Sequence, residues 1–293
     1  MTHVRYGCGS ITANYPTSGV RGMGSRRAVE PVAILFSCRL VPREEEIGLK
    51  ERIRQGETLI GSLVTIPSLD VADILSRVGF DYLWIETEHA PMGFIHAQSL
   101  IQAVDGRCPC LVRIPDRKEV WVKKALDIGC DGIVVPQVRS AEEAAQIVAW
   151  SLYPPEGQRS VGVSRAHGYG MAFREYVDRI NDELVIVLQA EHRDAVENIE
   201  TIVDVEGIDA VLMGPFDLSG SLGVLGQTDH PLVLDAIETI RRHCQVVGMP
   251  VGIFAADVGS AKRYLEQGFS LIALGMDAMF LWQSAAEALG SLR

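Results

Sequence analysis

Two acidic residues, Glu191 and Asp217, occupy positions at which the sequence points to chemistry. Each follows a short apolar run, residues 184–188 for the first and residues 210–213 for the second, and one strand-helix-strand repeat separates them. Acids at equivalent ends of neighbouring parallel strands can share a divalent metal. Because no Cys or His cluster accompanies them, the pair favours a hard ion, Mg²⁺ or Mn²⁺ with Co²⁺ also compatible, whose other ligands are water and substrate oxygens.

Both acids also have structural alternatives. Asp217 begins the sequence Asp217-Leu218-Ser219 and would serve as a helix N-cap. Glu191 would act as an N-cap or pair with Arg193. Backbone amides exposed at the turn around Asp217 would equally hold the carboxylate of a ligand. Spacing alone therefore leaves the metal hypothesis beside these interpretations.

Three further residues carry polar side chains that are suited to a reaction. His89 lies in a loop after residues 82–85. Because imidazole titrates near neutrality, it could act as a general base, and the alternative is a surface histidine. Arg113 ends an apolar run, where an unpaired guanidinium is costly. We therefore expect it to face a carboxylate or an oxyanion in the cleft, or to form a structural ion pair with an acid at a neighbouring strand end. Asp127, late in the following helix, is predicted from position alone to be a solvated helix residue.

The lysines argue against Schiff-base chemistry. All five fall in helix-like or loop stretches rather than at the end of a strand-like run: Lys50, Lys118, Lys123, Lys124 and Lys262. A Schiff-base aldolase needs a desolvated amine in its cleft. The sequence therefore favours metal-assisted chemistry.

The elements that position these residues alternate regularly from residue 47 to the end. Eight apolar runs are predicted as strands, at residues 59–66, 82–85, 110–113, 132–135, 184–189, 210–213, 251–254 and 271–274. Amphipathic stretches between them place apolar residues at spacings of three and four, and several end in glycine, as at Gly79 and Gly129. Eight such units in about 250 residues predict an α/β fold, the (β/α)₈ TIM barrel, whose active sites follow the carboxyl ends of the strands. A doubly wound open sheet, the alternative, would need a phosphate-binding glycine fingerprint that the sequence lacks.

Composition narrows the class of partner. The chain has 293 residues, of which 47% are hydrophobic and 22% charged, with a net charge of −11. This charge argues against nucleic acid or an anionic membrane and favours a small molecule, and no run of about 18 apolar residues predicts a membrane span. The six cysteines lack the paired spacings of a zinc site, which favours reduced thiols and a cytoplasmic protein.

Residues 1–46 do not share the repeat. We interpret them as a poorly ordered N-terminal leader or extension and residues 47–293 as one catalytic domain. Up to Ala28 the extension contains four arginines and no acid, so a mitochondrial transit peptide is the alternative to a cytoplasmic location.

Several motifs together resemble the HpcH/HpaI aldolase family from about residue 47 to the end. They are Gly79-Phe80-Asp81-Tyr82, Glu88-His89-Ala90-Pro91, Leu111-Val112-Arg113, Tyr153-Pro154-Pro155 with Gly157 and Arg159, Gln189 with Glu191, and Val205 to Ser219. Members are metal-dependent class II pyruvate aldolases with a (β/α)₈ barrel, and the resemblance implies a homo-oligomer, trimer or hexamer. It also implies a carbon-carbon lyase that cleaves a 4-hydroxy-2-oxo acid to pyruvate and an aldehyde through a metal-bound pyruvate enolate.

The resemblance implies a role for each polar residue at the predicted site. Glu191 and Asp217 would hold a divalent ion, and Arg113 would stabilise the enolate oxygen. His89 would transfer protons in a pair with Asp127, the residue that position alone assigns to solvent.

Substrate contacts are implied as well. Gln189 would contact pyruvate or a metal-bound water, and the backbone at Gly214, Phe216 and Asp217 would receive the pyruvate carboxylate. The aldehyde half would lie against the long segment 153–182, with a contribution from a neighbouring subunit.

The sequence departs from the family pattern beside His89. Where the family reads Asp-Gly-Glu-His-Ala-Pro-Asn, this chain has Glu86, Thr87 and Met92 in place of the Asp, the Gly and the Asn. These changes leave two alternatives to aldol cleavage that use the same enolate: oxaloacetate decarboxylation and carbon-carbon bond formation of the kind catalysed by macrophomate synthase. A barrel that binds 2-oxo acids without turnover is a third.

Overall fold

A computed structural model describes residues 47–293 of the protein. The interpretation of residues 1–46 as a leader falls outside the described residues. From residue 47 onward, twelve helices are interleaved with eight strands in the order that the sequence predicts.

Eight parallel strands close into a barrel, each hydrogen-bonded to the next along the chain and the last to the first. The predicted (β/α)₈ TIM barrel is confirmed. The strands are β1 (Leu59–Val64), β2 (Tyr82–Glu86), β3 (Cys110–Arg113), β4 (Gly132–Val135), β5 (Val185–Gln189), β6 (Ala210–Met213), β7 (Val251–Ala255) and β8 (Leu271–Met276).

The first strand is shorter than predicted. The backbone N–H groups of Thr65 and Ile66, which the apolar run includes, donate to the carboxylate of Asp277 instead of continuing the ladder. Since Asp277 begins the last helix, a contact distant in sequence ends this strand. The end of β1 could therefore not be predicted from the local pattern of apolar residues.

The helices cover the outside of the barrel and its lower end. They are α1 (Leu49–Arg54), α2 (Leu69–Val78), α3 (Phe94–Val104), α4 (Glu119–Asp127), α5 (Ala141–Ser151), α6 (Phe173–Glu183), α7 (Arg193–Glu197), α8 (Ile199–Val203), α9 (Pro215–Ser221), α10 (Pro231–Val247), α11 (Val258–Glu266) and α12 (Asp277–Gly290). Gly79 ends α2 with φ +106°, a left-handed conformation that glycine adopts without steric cost.

The barrel interior is filled with side chains. Large side chains from β1, β2 and β3 form an inner cluster that includes Leu63, Tyr82, Trp84 and Leu111. At Gly61 an added Cβ atom would lie 2.4 Å from the Tyr82 ring, so glycine at this position makes room for the tyrosine inside the barrel. A filled interior leaves the ends of the strands as the place for a site.

Helix α1 closes the lower end, where the strands begin. Leu49 and Ile53 join the inner cluster, and Lys50 Nζ donates to the Leu184 carbonyl at 2.7 Å and lies 3.3 Å from Asp209 Oδ2. Burial lowers the pKa of Lys50 and raises the pKa of Asp209 despite their mutual attraction. Desolvation therefore exceeds the Coulombic gain, and the pair serves to fix the position of α1.

None of the helices described over residues 47–293 combines the length and the apolar composition needed to cross a membrane.

Candidate active site

Arg113, the last residue of β3, contacts four side chains at the carboxyl end of the barrel. Its Nη2 pairs with the buried carboxylate of Glu86, and its Nε lies 3.2 Å from Glu88 Oε2. Nη1 donates to Gln189 Oε1 at 3.3 Å, and the guanidinium lies over the Trp84 ring, 5.1 Å from its centroid. The prediction that Arg113 faces a carboxylate is confirmed, and both carboxylates come from the neighbouring strand end.

Gln189 and Glu191 extend this network beyond β5. Gln189 Nε2 donates to Glu191 Oε2 at 2.9 Å, and the backbone N–H of Gln137, in the loop after β4, donates to Glu191 Oε1 at 3.0 Å. Polar contacts therefore run without interruption from Glu86 through Arg113 and Gln189 to Glu191.

Glu191 is buried at the mouth of the barrel near a second acid, Asp217. Burial, and then the negative charge of nearby Asp217, raises the pKa of Glu191 to about 8. A divalent cation between the two carboxylates would remove this cost, and hard oxygen donors suit such an ion. Among the described residues no group of three or more His, Cys, Asp or Glu is arranged to hold a metal. The two carboxylates fit Mg²⁺ or Mn²⁺ because such ions bind through one or two protein carboxylates and keep water or substrate oxygens as their other ligands.

Gly214 makes room for this carboxylate. A Cβ atom at this position would lie 2.4 Å from Glu191 Oε2. Glycine thus allows the end of β6 to approach Glu191 closely, which places Asp217 beside it.

The helix-cap alternatives for the two acids are wrong. Gly214, not Asp217, is the N-cap of α9, and His192, not Glu191, caps α7 by accepting from the Asp194 N–H. Arg193 bonds Ser221 across the loop. With these roles taken by other residues, Asp217 is left with an exposed carboxylate and Glu191 with a buried one, both at the same mouth of the barrel.

The first turn of α9 presents backbone N–H groups at this mouth. Pro215 has no N–H, and Leu218 N donates to the Gly214 carbonyl. The amides of Phe216 and Asp217, between them, belong to the positions that have no acceptor within a helix. The Phe216 side chain is 52% exposed.

His89 and Asp127 lie at opposite ends of the barrel. His89 follows the carboxyl end of β2, and its Nε2 lies 3.7 Å from Glu88 Oε2. Asp127 ends α4, just before β4 begins, and lies 3.3 Å from the buried guanidinium of Arg159. Within residues 47–293 of one chain no hydrogen bond or ion pair joins the two, so their pairing stays a prediction. The assignment of Asp127 to solvent is only partly right, since its side chain is 33% exposed and ion-paired.

The segment 153–182 also lies away from the strand ends that carry the site. It contains a 3₁₀ turn (Arg165–Gly170) and most of α6, and Arg165 donates to the Ile128 carbonyl at the end of α4. This segment therefore packs beside Asp127 at the end of the barrel where strands begin. Its predicted contact with the aldehyde half of the substrate, to which a neighbouring subunit contributes, stays a prediction.

The departures from the family pattern have local explanations. Thr87 donates its hydroxyl to the Arg113 carbonyl at 2.5 Å, which ties the ends of β2 and β3 together. Met92 is buried in the outer hydrophobic core and anchors the loop that carries His89. The longer acid Glu86 reaches Arg113 while its other oxygen accepts the N–H groups of Glu88 and His89.

Sequence reasoning assigned no role to four residues that contact this network: Trp84, Glu86, Glu88 and Gln137. Burial raises the pKa of Glu88, while the positive charge of Arg113 acts in the opposite direction. Glu86 and Gln137 both follow apolar runs, a signal that was available. The direction in which Trp84 points was not, because it depends on the register of the barrel.

The fold and this network define a class of protein. A (β/α)₈ barrel with an Arg-carboxylate network and an acidic pair at the carboxyl ends of its strands is an enzyme barrel with a site suited to a divalent metal and an oxyanion.

Comparison with known proteins identifies the family. Residues 64–284 match the family model described as HpcH/HpaI aldolase/citrate lyase. A 2-keto-3-deoxy-L-rhamnonate aldolase of Escherichia coli strain K12 is 37% identical over 233 residues, which cover 78% of this chain and 87% of the relative. The chain belongs to the HpcH/HpaI aldolase/citrate lyase family, as the motifs predict, and it is a carbon-carbon lyase of the metal-dependent, class II type.

Solved structures agree with this assignment. An HpcH/HpaI aldolase/citrate lyase family protein from Burkholderia cenocepacia superposes with a TM-score of 0.81 at 33% identity, covering 84% of this chain and 98% of the other. Macrophomate synthase superposes with a TM-score of 0.71 at 28% identity, covering 84% and 88%.

Proposed function

We propose that this enzyme cleaves a 4-hydroxy-2-oxo acid to pyruvate and an aldehyde, with Mg²⁺ or Mn²⁺ held by Glu191 and Asp217. The observation that carries the proposal is the position of the buried Glu191, whose carboxylate accepts from Gln189 Nε2 and the Gln137 N–H at the same mouth of the barrel as Asp217. Burial and the charge of Asp217 raise its pKa to about 8. The similarity to 2-keto-3-deoxy-L-rhamnonate aldolase supports a 2-keto-3-deoxy acid as substrate. A bound ion would withdraw electrons from the keto group and so make the C3–C4 bond easier to break. The proton of the C4 hydroxyl would pass to His89 as that bond breaks and would return to C3 to give pyruvate.

The protein's own groups then have separate tasks. Arg113 donates toward the keto oxygen, where negative charge develops during cleavage, and its contacts with Glu86 and Gln189 hold it in place beforehand. The amides of Phe216 and Asp217 receive the pyruvate carboxylate. Gln189 orients both Arg113 and Glu191, since it bonds each of them.

A substrate panel tests this proposal. Purified protein with added Mn²⁺ is expected to release pyruvate from 2-keto-3-deoxy-L-rhamnonate and related 4-hydroxy-2-oxo acids, measured with a lactate dehydrogenase coupled assay. The same assay after chelation of the metal is the control and is expected to lose the activity. Absence of pyruvate release from every acid in the panel would contradict the proposal.

The second candidate is use of the same enolate after decarboxylation of oxaloacetate, with or without bond formation to an acceptor. It is favoured by the similarity to macrophomate synthase and by Glu86, which replaces the shorter acid of the family pattern. Loss of oxaloacetate that exceeds aldol cleavage, followed with and without an aldehyde acceptor, would favour this candidate.

The active site is shared between two copies of the chain in this proposal. Asp127 lies on the same end of the barrel as the exposed side chains of Val161, Val163 and Met171, which are 63, 80 and 88% exposed. Apolar exposure of this extent indicates a covered surface. A neighbouring copy that covers it with the mouth of its own barrel would bring Asp127 beside its His89.

The C-terminal helix supports an oligomer independently. Leu281 and Trp282 of α12 are 66 and 73% exposed. Within residues 47–293 no side chain covers them, and burying them against a second copy of the chain is favourable. A homo-oligomer, a trimer or a hexamer, provides that surface.

Mixed oligomers test the shared site. His89→Ala and Asp127→Ala proteins are each expected to be nearly inactive, whereas oligomers reassembled from equal amounts regain activity. Random association gives about one quarter of sites an intact His89 from one chain and an intact Asp127 from another. Steady-state pyruvate release measures the recovery.

Each variant mixed with itself is the control for reassembly. If His89 and Asp127 act within one chain, mixing restores no activity. If either variant is active on its own, the substituted residue has no part in catalysis.

A further inference from the structure

Gln137 has an unusual backbone conformation directly beside the carboxylate pair. Its φ is +57°, in the left-handed region that residues with side chains seldom adopt. Residues held in such a conformation persist only where surrounding contacts over-determine them. The contacts of Gln137 are therefore informative.

Both peptide groups of Gln137 are held from outside. Its N–H donates to Glu191 Oε1 at 3.0 Å, and its carbonyl oxygen accepts from Arg117 Nη1. The N–H of the following residue, Val138, donates to the Gln189 carbonyl at 3.1 Å. Glu191 therefore holds the peptide group before Gln137, and Arg117 holds the peptide group after it.

Arg117 is itself anchored. Its Nη2 lies 3.4 Å from Glu143 Oε1 in α5, and Glu143 Oε2 accepts the backbone N–H of Arg139 at 2.7 Å. The guanidinium therefore bridges the loop after β3, the loop after β4 and the start of α5. None of the described contacts of Arg117 reaches Glu191 or Asp217 directly.

We propose that Arg117 is a positioning residue, which holds Gln137 in its left-handed conformation so that the Gln137 N–H stays directed at Glu191. This inference rests on the proposed role of Glu191 as a metal ligand. Groups that orient a metal ligand from outside the first coordination sphere typically change metal affinity by 10- to 100-fold when they are lost. A residue outside the substrate pocket would then control the metal site.

When Arg117 no longer holds the Gln137 carbonyl, Gln137 can relax toward a negative φ, because a residue with a side chain disfavours the left-handed region. The contact of the Val138 N–H with the Gln189 carbonyl then alone holds the second peptide plane, and the change in φ turns the Gln137 N–H away from Glu191. Glycine at position 137 would have no such tendency, since it adopts φ near +57° as readily as its mirror image. The loss caused by Arg117→Ala should therefore be reversed by Gln137→Gly.

The first experiment measures Mn²⁺ binding by electron paramagnetic resonance. Arg117→Ala is expected to raise the Mn²⁺ dissociation constant about tenfold, and the double variant with Gln137→Gly is expected to return it to within about threefold of wild type. Lys118→Ala is the matched control, since this neighbouring cation is 68% exposed and pairs with Asp116. An Arg117→Ala protein that binds Mn²⁺ like wild type, or a loss that Gln137→Gly does not reverse, would overturn the inference.

The second measurement needs no metal. In metal-free protein, amide hydrogen exchange at position 137 is expected to be at least about tenfold faster in Arg117→Ala than in wild type and Lys118→Ala, because the donor to Glu191 is released. Unchanged exchange would overturn the inference whether or not Mn²⁺ binds. Failure of wild type to bind Mn²⁺ with the expected change in exchange would instead count against the proposed metal site alone.

Discussion

Glu191→Gln is expected to abolish Mn²⁺ binding in the concentration range where wild type is saturated, and with it the release of pyruvate. The substitution keeps the shape of the side chain but replaces a charged oxygen ligand by an amide, and only one carboxylate, Asp217, remains. The loss in affinity is expected to exceed about 100-fold, more than the loss of an outer contact gives. Titration calorimetry with Mn²⁺ measures it.

This substitution also separates a metal ligand from a structural acid. At pH 9, above the pKa of about 8, the metal-free wild type carries a buried negative charge on Glu191 beside Asp217. A neutral glutamine removes this repulsion, so the metal-free variant should be at least as stable to heat as wild type. Added Mn²⁺ should then raise the melting temperature of wild type but not that of the variant.

Glu200→Gln is the matched control for Glu191→Gln, because Glu200 lies exposed on α8. It is expected to bind Mn²⁺ like wild type. Saturable binding by Glu191→Gln with wild-type affinity would contradict the assignment of Glu191 as a ligand.

Arg113→Lys is expected to lower kcat by about 10² to 10³, the usual cost of losing a donor to a developing oxyanion. Lysine keeps the positive charge, but it cannot bond Glu86, Glu88 and Gln189 at once through a planar fork as Arg113 does. Its ammonium would settle against one of the two acids and away from the keto oxygen. Steady-state kinetics with the best substrate of the panel measures the change in kcat.

The dissociation constant for Mn²⁺ distinguishes this role from a structural one. Arg113 bonds Gln189 and not Glu191, so Mn²⁺ affinity is expected to change by less than about tenfold in Arg113→Lys. Arg179→Lys, an exchange at an exposed ion pair with Glu183, is the control and should leave both quantities unchanged. A kcat within twofold of wild type in Arg113→Lys would show that the guanidinium has no part in the reaction.

Most of the fold was readable from the sequence because local pattern and topology agree. Nearly continuous apolar strands are required because each strand of the barrel is buried on its outer side by helices and on its inner side by the filled interior. Glycines at helix ends allow the left-handed conformation that ends a helix. Strands β3, β4 and β6 match the prediction residue for residue. Strand β1 ends before Thr65, where a carboxylate from the far end of the chain accepts the backbone N–H.

For the candidate site, too, the sequence predicted some features and not others. The sequence by itself determined the barrel and the acids, arginine and glutamine that follow its strands, since parallel strands bring their carboxyl ends to one mouth. Only the tertiary structure decided that Glu86 reaches Arg113 and that Gln137 turns its N–H toward Glu191. These two contacts depend on the length of a side chain and on loops that are far apart in sequence, and the periodicity of apolar residues carries no information about either.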